Sequence, residues 1–122
     1  MPIGAKEPIF VLDDDHGILE SFEAMLGEDY PLVMVDNVFD ALPLLRKHKP
    51  RLLFLDLKIP KLNGFEVLKW LREEGFPTAV VIVTGLAQDH YEDLARQYGI
   101  YRYLRKPLDV DEVEDITRRV FH

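Results

Sequence analysis

Short apolar runs alternate with longer segments of helical periodicity along this chain. The apolar runs lie at residues 9–12, 32–35, 52–55, 78–83 and 100–104. Runs of this kind are typical of parallel strands that are buried on both faces. Between and after them, the pattern predicts five helices, and these cover residues 18–27, 38–48, 65–74, 88–98 and 109–120.

Five strands alternating with five helices predict an α/β fold. Each crossover between parallel strands is right-handed, which favours a doubly wound five-stranded parallel sheet in a three-layer sandwich with flavodoxin-like topology. A length of 122 residues fits one domain. We therefore expect a single domain over residues 1–122, structured from about residue 7 to residue 121, with no output domain in this chain.

Capping and breaking residues define the helix ends. Asn37 and Asp109 are candidate N-caps, and Gly27 is a plausible stop signal. Pro43 lies beyond the first turn of the second helix, where it removes the bond to the Phe39 carbonyl, so we expect that helix to be kinked, displaced or late-starting. Five large apolar side chains are expected in the core rather than in a cofactor slot, namely Phe39, Leu42, Leu45, Trp70 and Leu71.

Composition and charge narrow the class of protein. The chain is 48% hydrophobic, has no apolar stretch long enough to span a bilayer, and has no cysteine. Residues 1–8 contain no apolar core of signal-peptide length, so we expect a cytoplasmic protein. A formal net charge of −7 opposes unaided binding to nucleic acid, which requires a basic patch.

Polar side chains follow four of the predicted strands. Asp13 and Asp14 come after the first, Asp56 after the third, Thr84 after the fourth and Lys106 near the end of the fifth. Because the carboxyl ends of parallel strands meet at one edge of the sheet, we expect these groups to lie close together. Three carboxylates repel one another, and a hard divalent cation such as Mg²⁺, with Mn²⁺ as a substitute, relieves that repulsion. An ionised carboxylate, a metal and an ammonium group are the parts of an aspartyl-phosphate site.

These motifs and their order resemble receiver domains of two-component response regulators, over the whole chain. The segment IFVLDDD is similar to the family's first strand with its acidic pair, and LLFLDLKIPKLNGFEVL is similar to the phosphoacceptor strand and loop. VVIVTG and YRYLRKP resemble the switch strand and the lysine strand. The combination is far more specific than any single motif.

The resemblance implies a role for each residue at the strand ends. Asp56 is expected to be the phosphoacceptor, Asp14 a direct Mg²⁺ ligand and Asp13 a ligand through water. The backbone carbonyl of Lys58 is expected to complete the protein ligands.

The same resemblance implies a switch. Lys106 and Thr84 are expected to contact the phosphoryl group, with Tyr103 turning inward as Thr84 moves, and the Lys106–Pro107 peptide bond is expected to be cis.

The implied function is a phosphoacceptor switch rather than an enzyme. A histidine kinase or phosphotransfer protein would donate the phosphoryl group, and output would pass to another domain or protein through the face of the fourth helix, fifth strand and fifth helix. Homodimerisation on phosphorylation is a further expectation, while nucleic acid and membrane are not expected partners. Lys58 and Leu86 are poor at orienting water, so we predict slow self-dephosphorylation.

Two alternative functions remain at this point. Asp13 and Asp15 after an apolar strand also resemble the nucleophile motif of haloacid-dehalogenase-type phosphatases, which use Mg²⁺ as well. The second alternative is a phosphorylation-independent interaction module with the receiver fold. Substitution distinguishes the phosphatase from the receiver domain. Phosphoryl labelling of a phosphatase would be lost in Asp13→Asn, whereas labelling of a receiver domain would be lost in Asp56→Asn.

Overall fold

The computed structural model describes residues 7–59, 62–85 and 89–122. The strands in these ranges are β1 Ile9–Leu12, β2 Leu32–Val35, β3 Leu52–Leu55, β4 Lys58–Ile59, β5 Leu62–Asn63, β6 Ala79–Thr84 and β7 Arg102–Arg105. The helices are α1 His16–Leu26, α2 Val38–His48, α3 Gly64–Glu73, α4 Asp89–Gln97 and α5 Val110–Phe121.

The main sheet confirms the predicted doubly wound fold. Its five strands are all parallel and lie in the order β2-β1-β3-β6-β7. Leu12 on β1 is paired with Leu55 on β3, and Leu55 is in turn paired with Ile82 on β6. This register brings the chain segments that follow β1 and β3 to the same height at the carboxyl edge of the sheet.

Helices cover both faces of the sheet and make two cores. On one face, α2, α3 and α4 pack against Phe10, Leu53 and Ile82 with their neighbours. On the other face, α1 and α5 pack against the alternate strand residues, and the Phe22 and Phe54 rings lie 4.7 Å apart between their centroids. Strands that are buried on both faces explain why their sequences are continuous apolar runs.

Side-chain caps fix where three helices begin. Asp15 caps α1, Asn37 caps α2 and Asp109 caps α5, each by accepting hydrogen bonds from backbone N–H groups of the first turn. The predicted caps Asn37 and Asp109 are therefore confirmed, as is the stop at Gly27. The helix α2 continues through Pro43 and starts at Val38, so a late start is wrong: the Asn37 cap secures the first turn.

Two further expectations from the sequence are wrong. The predicted loop after β3 contains a short antiparallel hairpin, in which Lys58 is paired with Asn63. Phe39 lies on the surface with 71% of its area exposed, because the buried face of α2 is formed by Val38, Ala41 and Leu45. Leu45 and Leu71 are buried as predicted, while Leu42 and Trp70 are only partly buried. No helix within the described residues is long and apolar enough to cross a bilayer.

Candidate functional site

Asp13 and Asp56 lie side by side at the carboxyl edge of the sheet. Their backbones extend the parallel ladder, since Asp56 N–H donates to the Leu12 carbonyl at 2.9 Å and Asp13 N–H donates to the Val35 carbonyl at 3.1 Å. Both side chains are buried, with 2% of Asp13 and 4% of Asp56 exposed. Burial of two neighbouring carboxylates requires nearby positive charge.

Lys106 provides positive charge at this edge. Its ammonium nitrogen lies 3.1 Å from Asp13 Oδ2 and 3.5 Å from Asp56 Oδ2. Burial pulls the pKa of Lys106 down, but its hydrogen bonds and charge attraction to Asp13 and then Asp56 outweigh burial, so the pKa lies above its usual value. The Lys106 N–H donates to the Thr84 carbonyl at 2.8 Å, which fixes the backbone of the lysine beside β6.

Asp14 completes a cluster of three carboxylates. One carboxylate oxygen from each of Asp13, Asp14 and Asp56 lies within 4.8 Å of the others, and Asp14 is the exposed member. This all-oxygen donor set, open to solvent on one side, suits Mg²⁺, which keeps several of its waters. The residues therefore fit the metal that the sequence predicts. Lys58 lies in β4, where its backbone follows Asp56 by two residues.

Thr84 and Tyr103 lie on the neighbouring strands β6 and β7, where Thr84 is paired with Arg105 and Tyr103 with Ile82. Thr84 is the last residue of β6 and is fully buried. Tyr103 on β7 is partly buried against the core beneath α2, α3 and α4, its hydroxyl oxygen is buried, and the Arg105 guanidinium carbon is 5.8 Å from the ring centroid. The Lys106–Pro107 peptide bond is cis, which confirms that expectation. Leu86 lies outside the described residues.

Asp15 faces the helix rather than the carboxylate cluster. Its Oδ1 accepts hydrogen bonds from Gly17 N–H at 2.9 Å and Ile18 N–H at 3.4 Å. Its own N–H donates to Asp13 Oδ1 at 2.9 Å. Asp15 therefore caps α1 and orients Asp13, which does not favour a phosphatase that uses Asp13 and Asp15 for catalysis.

The sequence did not indicate how closely α3 approaches the backbone of Asp56. Gly64 begins α3, and its N–H donates to the Leu57 carbonyl at 2.9 Å. A Cβ atom at position 64 would collide with the Asp56 carbonyl oxygen and lie 2.8 Å from Leu57 Cα. Glycine is required here because any side chain would push the backbone of Asp56 away. Only the spacing of Gly64 after Asp56 could have signalled this contact.

A doubly wound sheet with a carboxylate cluster and a lysine at its carboxyl edge defines a phosphoacceptor class of α/β domain. Residues 9–118 match the family model of the response regulator receiver domain. The chain therefore belongs to the response regulator receiver domain family.

Named relatives agree with this family. The chain is 30% identical to sporulation initiation phosphotransferase F of Bacillus subtilis, over 93% of both chains. It is also 30% identical to the polar-differentiation response regulator DivK of Brucella anthropi, over 84% of this chain and 85% of the relative. Response regulator Rre1 of Synechocystis is 32% identical, but this chain covers only 52% of its length.

Solved structures of receiver domains share the fold. A receiver domain from Bermanella marisrubri has a TM-score of 0.84 at 30% identity, covering 96% of this chain and 99% of that one. One from Vibrio parahaemolyticus has a TM-score of 0.89 at 24% identity, covering 94% and 89% of the two chains. The chain is thus a phosphoacceptor domain of two-component signal transduction, a family whose members are generally regulatory.

Proposed function

We propose that Asp56 accepts a phosphoryl group from a phosphohistidine and that Mg²⁺ is held by Asp13, Asp14, Asp56 and the backbone carbonyl of Lys58. The observation that carries this proposal is the buried Asp56 carboxylate, 3.5 Å from the Lys106 ammonium and clustered with two further carboxylates. The names of the relatives agree, because one is a phosphotransferase and others are response regulators.

The proposed reaction moves one phosphoryl group between two proteins. An Asp56 carboxylate oxygen attacks phosphorus while the bond from phosphorus to the donor histidine nitrogen breaks, and the product is an acyl phosphate. Bound Mg²⁺ supplies positive charge that neutralises the phosphoryl oxygens. Lys106, which contacts both Asp13 and Asp56, is close enough to pair with a phosphoryl oxygen once the group arrives.

The proposed switch follows from this new negative charge. The Thr84 hydroxyl donates to a phosphoryl oxygen, and Tyr103 on the neighbouring strand adjusts as Thr84 moves. Thr84 and Tyr103 lie on the paired strands β6 and β7, which supports this coupling. Receiver domains interact with histidine kinases, phosphotransfer proteins and output domains. For this chain, we propose that the face of α4, β7 and α5 passes the signal to an output domain, to a downstream protein or to a second copy on phosphorylation.

The proposed lifetime of the phosphorylated state is long. Lys58 and Leu86 are the residues two positions after Asp56 and Thr84, and neither is a good acid or base for hydrolytic water. Without a positioned acid or base, the rate of acyl phosphate hydrolysis is lower by a factor of about 10²–10⁴. We therefore expect the phosphorylated chain to have a half-life on the order of minutes to hours. A half-life of seconds in Mg²⁺ buffer would contradict this proposal.

Intact-mass spectrometry tests the function. The chain is incubated with Mg²⁺ and acetyl phosphate, or with its cognate kinase where the small donor does not react. The proposal predicts a gain of one phosphoryl group that is lost with a metal chelator and absent from Asp56→Asn. Labelling that survives Asp56→Asn but is lost in Asp13→Asn would support the phosphatase. No labelling by either donor would support an interaction module that works without phosphorylation.

A further inference from the structure

The solvent side of α2 carries an apolar stripe that continues onto α3. Phe39, Leu42 and Pro43 follow a spacing of three and four residues, which places them on one side of the helix, and the charged Arg46 lies one turn further along the same side. Phe39 is 71% exposed. A single exposed phenylalanine is unremarkable, but this one extends a row of apolar side chains.

Two shallow grooves lie between α2 and α3 along this stripe. Their volumes are about 390 and 240 Å³, and both are lined by Leu42 and Trp70. The first groove is also lined by Pro43 and Lys47. A protruding phenylalanine thus lies at one end of a surface that also offers concave apolar sites.

Opposite charges border the two ends of the stripe. Asp40 and Lys47 are both exposed and are seven residues apart, so they lie on the same side of α2 at a separation of about 10.5 Å along its axis. Within the described ranges, Lys47 forms no ion pair. Asp40 forms no ion pair within those ranges either, but its Oδ2 accepts a hydrogen bond from Asn37 Nδ2 at 2.8 Å. Arg46 pairs with Glu74 at 3.0 Å and covers the Trp70 ring at 5.4 Å.

A surface with this charge order is complementary to itself. If a second copy approaches with its α2 antiparallel, Asp40 of each copy meets Lys47 of the other, and the midpoint of both pairs lies beside Pro43. A two-fold dimer uses the same patch on both subunits, so one favourable pair is repeated twice. The same arrangement brings Phe39 of each copy toward the grooves of the other.

We propose that the stripe on α2, with its Asp40 and Lys47 ends, joins two copies of this chain across a two-fold axis near Pro43. The proposal commits to a second copy because Asp40 and Lys47 have the order that an antiparallel copy satisfies. It does not use the face of α4, β7 and α5 and does not depend on phosphorylation of Asp56. Two short helices per copy make a small interface, for which a dissociation constant of about 10 µM to 1 mM is expected.

Sedimentation equilibrium of the unphosphorylated chain tests the proposal. The measurement uses a salt concentration of about 0.15 M, where a Debye length of about 8 Å screens the long-range repulsion between the two net charges of −7. The weight-average mass should rise from 14.2 kDa toward twice that value as concentration increases. Trp70, the only tryptophan, should change its fluorescence over the same range.

Charge exchange identifies the contact. Lys47→Glu and Asp40→Lys should each weaken the dimer at least tenfold, since like charges then meet at both ends, while the double variant should restore it. Arg118→Glu on α5 changes the net charge by as much as Lys47→Glu does, but it should leave the weight-average mass in solution as it is for the native chain. Asp56→Asn should dimerise like the native chain. Thermal unfolding checks that each variant is folded.

Three results would overturn the proposal. The first is a mass that stays at 14.2 kDa up to about 1 mM. The second is a dimer that the single exchanges do not weaken or that the double variant does not restore. The third is a dimer that requires phosphorylation of Asp56, which would place the contact elsewhere. Asp56→Asn removes phosphorylation but leaves the stripe on α2 intact. A failure to dimerise is therefore distinguishable from a failure of the proposed phosphoacceptor function.

Discussion

Lys106 sets the charge balance of the carboxylate cluster. It lies closer to Asp13 than to Asp56, at 3.1 Å against 3.5 Å, so it interacts with a proposed metal ligand as well as with the proposed phosphoacceptor. The sequence predicted that Lys106 would lie near the carboxylates and contact the phosphoryl group, but not that it would lie closer to Asp13 than to Asp56. That contact depends on how a flexible side chain crosses the sheet edge, which strand-end spacing does not determine.

Replacing Lys106 separates its two effects. Lys106→Met removes the cation that offsets the repulsion among the three carboxylates. Bound Mg²⁺ should then relieve more of that repulsion, so it should bind about three to ten times more tightly. Phosphorylation by acetyl phosphate should nevertheless become slower, because the ammonium group is missing from the phosphoryl oxygens. Calorimetric titration and intact mass measure the two effects. Lys69→Met, an exposed change on α3, should alter neither, and weaker Mg²⁺ binding in Lys106→Met would contradict the charge argument.

Two buried threonines differ in their hydrogen bonding. The Thr117 hydroxyl donates to the Val113 carbonyl at 2.8 Å, whereas the Thr78 hydroxyl has no hydrogen-bond partner among the described residues. Thr78→Val should therefore raise the free energy of unfolding by about 1 kcal/mol, and Thr117→Val should lower it by about 0.5–1.5 kcal/mol. Urea unfolding measures both, and a loss of stability in Thr78→Val would show that its hydroxyl is satisfied.

One arginine connects α3 to two loops at the edge of the sheet away from the carboxylates. Arg72 donates to the carbonyls of Tyr98 at 2.8 Å and Gly99 at 3.0 Å, both in the turn between α4 and β7. It also donates to the backbone carbonyls of Phe76 at 3.0 Å and Thr78 at 3.1 Å, in the loop between α3 and β6. Arg72 thus ties the start of β6 to the turn that leads into β7.

Removing this clamp should loosen the α4 side of the molecule. Arg72→Met keeps the apolar stem but leaves four carbonyls without their donor, and the free energy of unfolding should fall by about 2–4 kcal/mol. Hydrogen exchange should accelerate most in α4 and β7. Lys69→Met, one turn earlier on the same helix, should change stability by less than about 0.5 kcal/mol. Equal losses in the two variants would mean that the four bonds are not important for stability.

Local signals predicted most elements, and tertiary contacts explain the exceptions. The caps Asn37 and Asp109 could be recognised because a cap bonds to N–H groups within its own helix. The hairpin that pairs Lys58 with Asn63 was missed, because two-residue strands carry too little pattern to detect. Phe39 was misplaced because its burial depends on the side of α2 that meets the sheet. The Arg72 clamp joins residues 26 and 27 positions apart, beyond any local signal.

At the scale of the whole molecule, the sheet register explains why the site could be predicted from four separate strand ends. Leu12 is paired with Leu55, so Asp13 and Asp56 must emerge together, and β6 and β7 bring Thr84 and Lys106 to the same edge. The right-handed crossover rule decides which face of the sheet each helix covers and needs no side-chain detail. The distances within the cluster, by contrast, depend on packing of α1 and α3 against the sheet, as at Gly64.

The position of the phosphoryl group tests the proposed role of Asp56 most directly. After phosphorylation in Mg²⁺, the acyl phosphate is reduced with tritiated borohydride, which converts a phosphorylated aspartate to homoserine, and the chain is digested and mapped. We expect a tritium label at residue 56 alone, absent when phosphorylation is carried out with chelator. A label at Asp13 or Asp14, or a phosphorylated chain without label at residue 56, would contradict the proposed role.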